Sequence, residues 1–101
     1  MALKRPDGVI EAVHIQNGRI IAVRAFERRG TAYSDRTILD RATLLERLRQ
    51  GKKFVTGQRR ELWAGTFDTG AAVQIVGRDD AELISTRADA AHDELEGVPF
   101  F

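Results

Sequence analysis

A chain of 101 residues, 43% apolar and 31% charged, falls within the ordinary globular range and is the size of one domain with one modest core, so composition excludes disorder. No apolar run approaches the roughly 20 residues that a membrane-spanning helix needs, and the absence of cysteine removes disulfides, thiol catalysis and thiolate zinc sites. The net charge of +1 hides an asymmetry: Met1 to Arg60 carries 14 Lys and Arg against 6 Asp and Glu, and Glu61 to Phe101 carries 2 against 9. Such a split marks either a half that meets a polyanion or two halves that lie together and neutralise. The opening MALKRPDG is basic with no apolar stretch behind it, which argues against a secretory signal. A cysteine-free chain with neither membrane span nor signal fits a cytoplasmic location.

In chain order, the first signal is VIEAVHIQNGRIIAVRAF. Asn17-Gly18 between two β-branched runs predicts a type I′ hairpin of residues 9–16 and 19–27. Strict alternation pairs Ile15 with Ile20, His14 with Ile21 and Glu11 with Arg24. One face then holds Val9, Val13, Ile15, Ile20, Ala22 and Phe26. The other holds Ile10, Ala12, Ile21, Val23 and Ala25, with His14. Two apolar faces need cover on both sides or a sheet curled towards a barrel. ERRGTAYSDRT reads as a loop. Residues 41–50 read as an amphipathic helix, with Asp40 as its cap, Leu44, Leu45 and Leu48 on one stripe, and Gly51 as its stop. Ile38 or Leu39 can staple against Leu44. KKFVTG, LWAGTF, AAVQIV and ELISTR then read as four short strands, with QRRE, DTG and GRDD as turns. Asp89 can cap a helical turn through Leu95, and the apolar Val98, Phe100 and Phe101 should dock on the sheet. The fold class is therefore α+β: a small, strongly curled antiparallel sheet of about six short strands, with one helix across one face.

The ordered signals Gly51, Phe54, Val55, Thr56 and then Leu83, Thr86, Asp89, Asp93, Leu95, Val98, Pro99 and Phe101 resemble a small bacterial domain-of-unknown-function family. Its members carry a Gly-x-x-Phe-x-Thr strand after a single helix and a Thr-x-x-Asp…Asp-x-Leu-x-x-Val-Pro-x-Phe tail. The resemblance spans residues 37–101, departs at Glu82 and Glu94, and implies the same fold without implying any chemistry.

Catalytic signatures are sparse. His14 lies mid-strand among apolar residues, Ser34 and Ser85 stand in no nucleophile motif, and Gly65, Gly70 and Gly77 punctuate turns instead of cradling phosphate. No cofactor is implied. Asp89, His92 and Asp93 form a candidate divalent-metal cluster of carboxylates and imidazole. Arg28, Arg29, Lys52, Lys53, Arg59 and Arg60 fall at strand ends and turns, where they could converge on a basic rim for nucleic-acid phosphates. Arg36, Arg41, Arg47 and Arg49 could extend that rim, with Tyr33 and Trp63 as stacking platforms. The remaining reading is a non-enzymatic binding or accessory domain that contacts a protein partner or a second copy of itself through an uncovered apolar face.

Overall fold

The structure, a computed structural model, describes residues 6–30, 32–59, 67–77, 82–87, 93–95 and 97–101. Strands β1 (Gly8–Gln16) and β2 (Arg19–Arg29) form the hairpin. Asn17 and Gly18 take φ of 53° and 76°, the two left-handed positions a type I′ turn requires. The register follows strict alternation at Gln16–Arg19 and Ile15–Ile20, then departs from it twice. His14 faces Ala22 instead of Ile21, and Ala12 instead of Glu11 faces Arg24. Ile21 and Glu11 are thus bulge residues, and each bulge resets which face the next side chain meets. Ile10 and Val13 share one core, as do Ile20 and Val23, although residues three apart alternate onto opposite faces in a regular strand.

Glu11 is buried and accepts from Arg24 Nε at 2.8 Å and Arg36 Nε at 2.6 Å. Arg36 also stands over the Phe26 ring, 5.5 Å from its centroid. The Arg36 guanidinium therefore helps cover Phe26, which lies outside the main core cluster.

The segment predicted as loop contributes β3 (Ala32–Tyr33), and the lead-in to the helix forms β4 (Thr37–Asp40); both are antiparallel to β2. The outer edge of an 11-residue strand needs partners for its amides and carbonyls, and these two segments supply them. Helix α1 (Arg41–Arg49) follows directly, as predicted. Asp40 accepts from Thr43 N at 2.8 Å, and Leu39 and Leu44 enter the core together as the staple, while Ile38 stays exposed. At the other end Gly51 N donates to Leu48 O and Lys52 N to Arg47 O, both at 3.1 Å. This pair of bonds is a Schellman cap, with Gly51 at φ 85°.

Strand β5 (Phe54–Arg59) corrects the antiparallel expectation: it lies parallel to β1, with Gly8 beside Phe54 and Ile10 beside Thr56. The helix returns the chain to the end of the sheet where β1 begins, so the next strand runs the same way. Strand β6 (Phe67–Ala72) is antiparallel to β5 and contains Asp68–Gly70, predicted as a turn. A Cβ at Gly70 would stand 2.6 Å from Thr56 Oγ1, so only glycine permits this approach. The expected AAVQIV strand splits at Val73, whose side chain enters the core and whose amide donates to Phe54 O at 2.8 Å. Strands β7 (Gln74–Val76) and β8 (Leu83–Ser85) form a separate ribbon.

The main sheet is mixed and open, in the order β3-β2-β1-β5-β6 with β4 beside β2, and it is not strongly curled. Curling was expected in order to cover two apolar faces. Here α1, the ribbon and the tail contribute to the core on one face, and Arg36 lies over Phe26 outside that core. The 21 Å short axis fits two packed layers.

Asp93–Leu95 does not continue the predicted helical turn. Glu94 N donates to Ile84 O at 3.0 Å and Thr86 N to Glu94 O at 3.2 Å, so this piece runs extended beside β8. The tail docks where β1 outruns β5: Val13 N donates to Pro99 O at 2.9 Å and Phe101 N to Val13 O at 2.8 Å. Among the described residues, no helix is long and apolar enough to cross a membrane.

Candidate anion-binding pocket

The register brings charge to one end of the sheet. Gly8 lies opposite Glu27 and beside Phe54, so the start of β1, the end of β2 and the start of β5 coincide. The C-terminal turn of α1 lands at the same end. Between them opens a pocket of about 300 Å³ lined by Arg28, Arg29, Arg47 and Lys52, with Asp7 and Glu27 among the cations.

Two of the cations are held by carboxylates. Arg28 Nη2 lies 3.0 Å from Asp7 Oδ1, and Arg47 Nε lies 3.1 Å from Glu27 Oε1. Asp7 Oδ2 also accepts from Lys53 N at 2.8 Å; that amide first, and then Arg28, hold the Asp7 carboxyl below the usual carboxylate range. Arg28 Nη1 also donates to Gly30 O at 3.5 Å, so both its terminal nitrogens have acceptors, whereas those of Arg47 have none among the described residues. Arg28 Nε is buried and meets no acceptor among the described residues. Arg29 and Lys52 are exposed, and no carboxylate among the described residues lies within ion-pair distance of either. Four cations thus face two anions. The negative end of α1 favours Arg47 at this position, but it does not neutralise the surplus.

Of the predicted basic rim, Arg28, Arg29 and Lys52 come together, joined by Arg47 from the helix. Lys53 sits next to Lys52 with its amide and carbonyl both bound to the Asp7–Gly8 turn. Arg59 ends β5, five residues beyond Phe54 and about 17 Å along the strand from it, so the rim is not continuous. Arg60 and Trp63 lie outside the described residues. Arg36, Arg41 and Arg49 are engaged elsewhere, with Glu11, Asp93 and Glu82 respectively. Tyr33 donates its hydroxyl to Pro6 O at 2.8 Å. Asp7 and Glu27 were not recognised in the sequence as part of any site. Their signal was register, since both flank a strand terminus at the Gly8–Glu27 pair.

Asp93, predicted as a metal ligand, faces inward. Its Oδ2 accepts from Ile20 N at 2.8 Å and its Oδ1 from Ile84 N at 2.9 Å, and Arg41 pairs with the same carboxylate. Burial pushes its pKa up, but Arg41 and the amides of Ile84 and Ile20 outweigh this and leave it below the ordinary value. Asp89 and His92 lie outside the described residues, and among those described no cluster of three His, Asp or Glu could hold a metal ion. His14, placed by the sequence on an apolar face, is exposed with its Nδ1 against the Phe101 carbonyl oxygen. Ser34 Oγ accepts from Glu27 N and donates to Asp35 O, and Ser85 Oγ accepts from Arg87 N.

Comparison with family models, with curated proteins and with solved structures gives no match.

Proposed function

We propose that the chain is a binding or accessory domain, not an enzyme, and that its partner presents negative charge to the pocket at the β1–β2–β5 end. The observation that carries this reading is the surplus of four cations over two carboxylates around one pocket, with Arg29 and Lys52 exposed to it. The engagement of Ser34 and Ser85 with backbone groups supports binding over nucleophilic chemistry.

The test is an amide-shift titration with a short single-stranded oligonucleotide carrying a 5′-phosphate, at low and then moderate salt. Shifts at residues 27–29, 47, 50 and 52 that weaken with salt are expected. An unperturbed spectrum at low salt rejects the reading.

A second reading rests on a separate observation. Ile38, Phe100 and Phe101 are large apolar side chains exposed by 56%, 74% and 39%. They favour contact with a protein partner or a second copy of the chain. Concentration-dependent sedimentation would reveal the second copy.

A further inference from the structure

The pocket offers more than a positive surface, and the way its charges are arranged selects among anions. Deepening the reading above, and resting on it, we infer that the pocket takes a compact dianionic phosphate: inorganic phosphate or the terminal group of a phosphomonoester, in preference to the phosphodiester of a nucleic-acid backbone.

Three features lead to this class. The first is the charge balance. Arg28, Arg29, Arg47 and Lys52 against Asp7 and Glu27 leave two uncompensated positive charges in one pocket. A phosphomonoester above its second pKa, near 6, carries about two negative charges, whereas a phosphodiester carries one.

The second is the donor set. Glu27 holds Arg47 by Nε and leaves both terminal nitrogens without a protein acceptor among the described residues. Asp7 and the Gly30 carbonyl hold the two terminal nitrogens of Arg28, which contributes charge at the pocket wall. The free fork of Arg47 is suited to two oxygens of a single phosphate, and the two exposed side chains, Arg29 and Lys52, can close over it.

The third is what surrounds the cations. Asp7 and Glu27 line the same pocket, and Arg59 stands at the far end of β5. A strand of diesters crossing this surface would pass carboxylates without meeting a continuous basic track. A single group entering the pocket meets the cations together.

The experiment uses the full chain at neutral pH and follows the Nε–Hε signals of Arg28 and Arg47 together with the nearby amides. Probes are inorganic phosphate, dimethyl phosphate and the 5′-phosphorylated oligonucleotide. Phosphate should bind about tenfold more tightly than dimethyl phosphate, as one additional unit charge near a doubly positive site implies. The substitutions Arg29→Glu and Lys52→Glu, both at exposed positions, should weaken phosphate at least tenfold, while Arg19→Glu at the hairpin turn should not. Equal or tighter binding of dimethyl phosphate overturns the dianion inference and leaves the anion pocket standing. An oligonucleotide that shifts these signals when phosphate does not has the same consequence. Silence from all three probes removes the inference and the proposed function together.

Discussion

Replacing Asp93 with alanine should destabilise the fold more than any surface substitution, because this one carboxylate ties three separate parts of the chain. It accepts from Ile20 at the start of β2, from Ile84 in β8 and from Arg41 in the first turn of α1. Arg41 in turn donates to Ile20 O at 2.8 Å and Glu82 O at 3.0 Å. Alanine would leave two buried amides unsatisfied, at about 1–3 kcal/mol each, and a guanidinium only 16% exposed without its counter-ion. Breaking one partner out of a buried pair costs about 3–5 kcal/mol, and that range fits here, with its lower end applying if Arg41 swings towards solvent. The loss is a large share of the 5–15 kcal/mol that a domain typically holds. Asparagine keeps one acceptor oxygen and should cost roughly half as much. Urea unfolding followed by circular dichroism measures both. A loss below about 1 kcal/mol for Asp93→Ala would refute the reasoning. So would Asp93→Asn proving as damaging as alanine.

Acid should weaken the protein through the same group. The folded-state pKa values of Asp7, Asp40 and Asp93 all lie below the ordinary value. Their contribution is therefore complete above about pH 5 and lost as pH falls through the unfolded-state and then the folded-state values. The urea midpoint should drop between pH 5 and pH 3, and Asp93→Asn should flatten that drop. Gly8→Ala should cost about 1–3 kcal/mol by calorimetry, because a Cβ there would lie 2.3 Å from the buried Phe54 ring; an unchanged melting temperature would show that the ring can yield. Leu44→Ala should cost about 2–5 kcal/mol in the same assay, since Leu44 is the fully buried contact of α1 with the core.

Local chemistry made part of the fold readable. Asn17-Gly18 specified the hairpin turn, and Asp40, the leucine stripe and Gly51 marked α1 at both ends. Each of these signals acts within a few residues. The bulges at Ile21 and Glu11 were not readable, because alternation was assumed regular and nothing in VIEAVHIQ breaks it except a charge. Glu11 was that clue: a carboxylate in an apolar strand needs cations, and Arg24 and Arg36 supply them. The parallel placement of β5 depends on where the helix delivers the chain, which residue pattern does not encode. Asp93 was noticed for its neighbours in sequence, Asp89 and His92, while its described partners Ile20, Arg41 and Ile84 come from 73, 52 and 9 residues away. The pocket was half visible. Basic pairs at strand ends drew attention in the sequence, but which ends coincide follows from the register, and that separates Arg59 from Arg28, Arg29 and Lys52.

The most direct test of the account is a titration of the full chain with the 5′-phosphorylated oligonucleotide, reading the Arg28 and Arg47 Nε–Hε signals at low salt. The account predicts saturable shifts at both signals, abolished by Arg29→Glu with Lys52→Glu. Signals that stay in place, or that move equally in the charge-reversed protein, would contradict it.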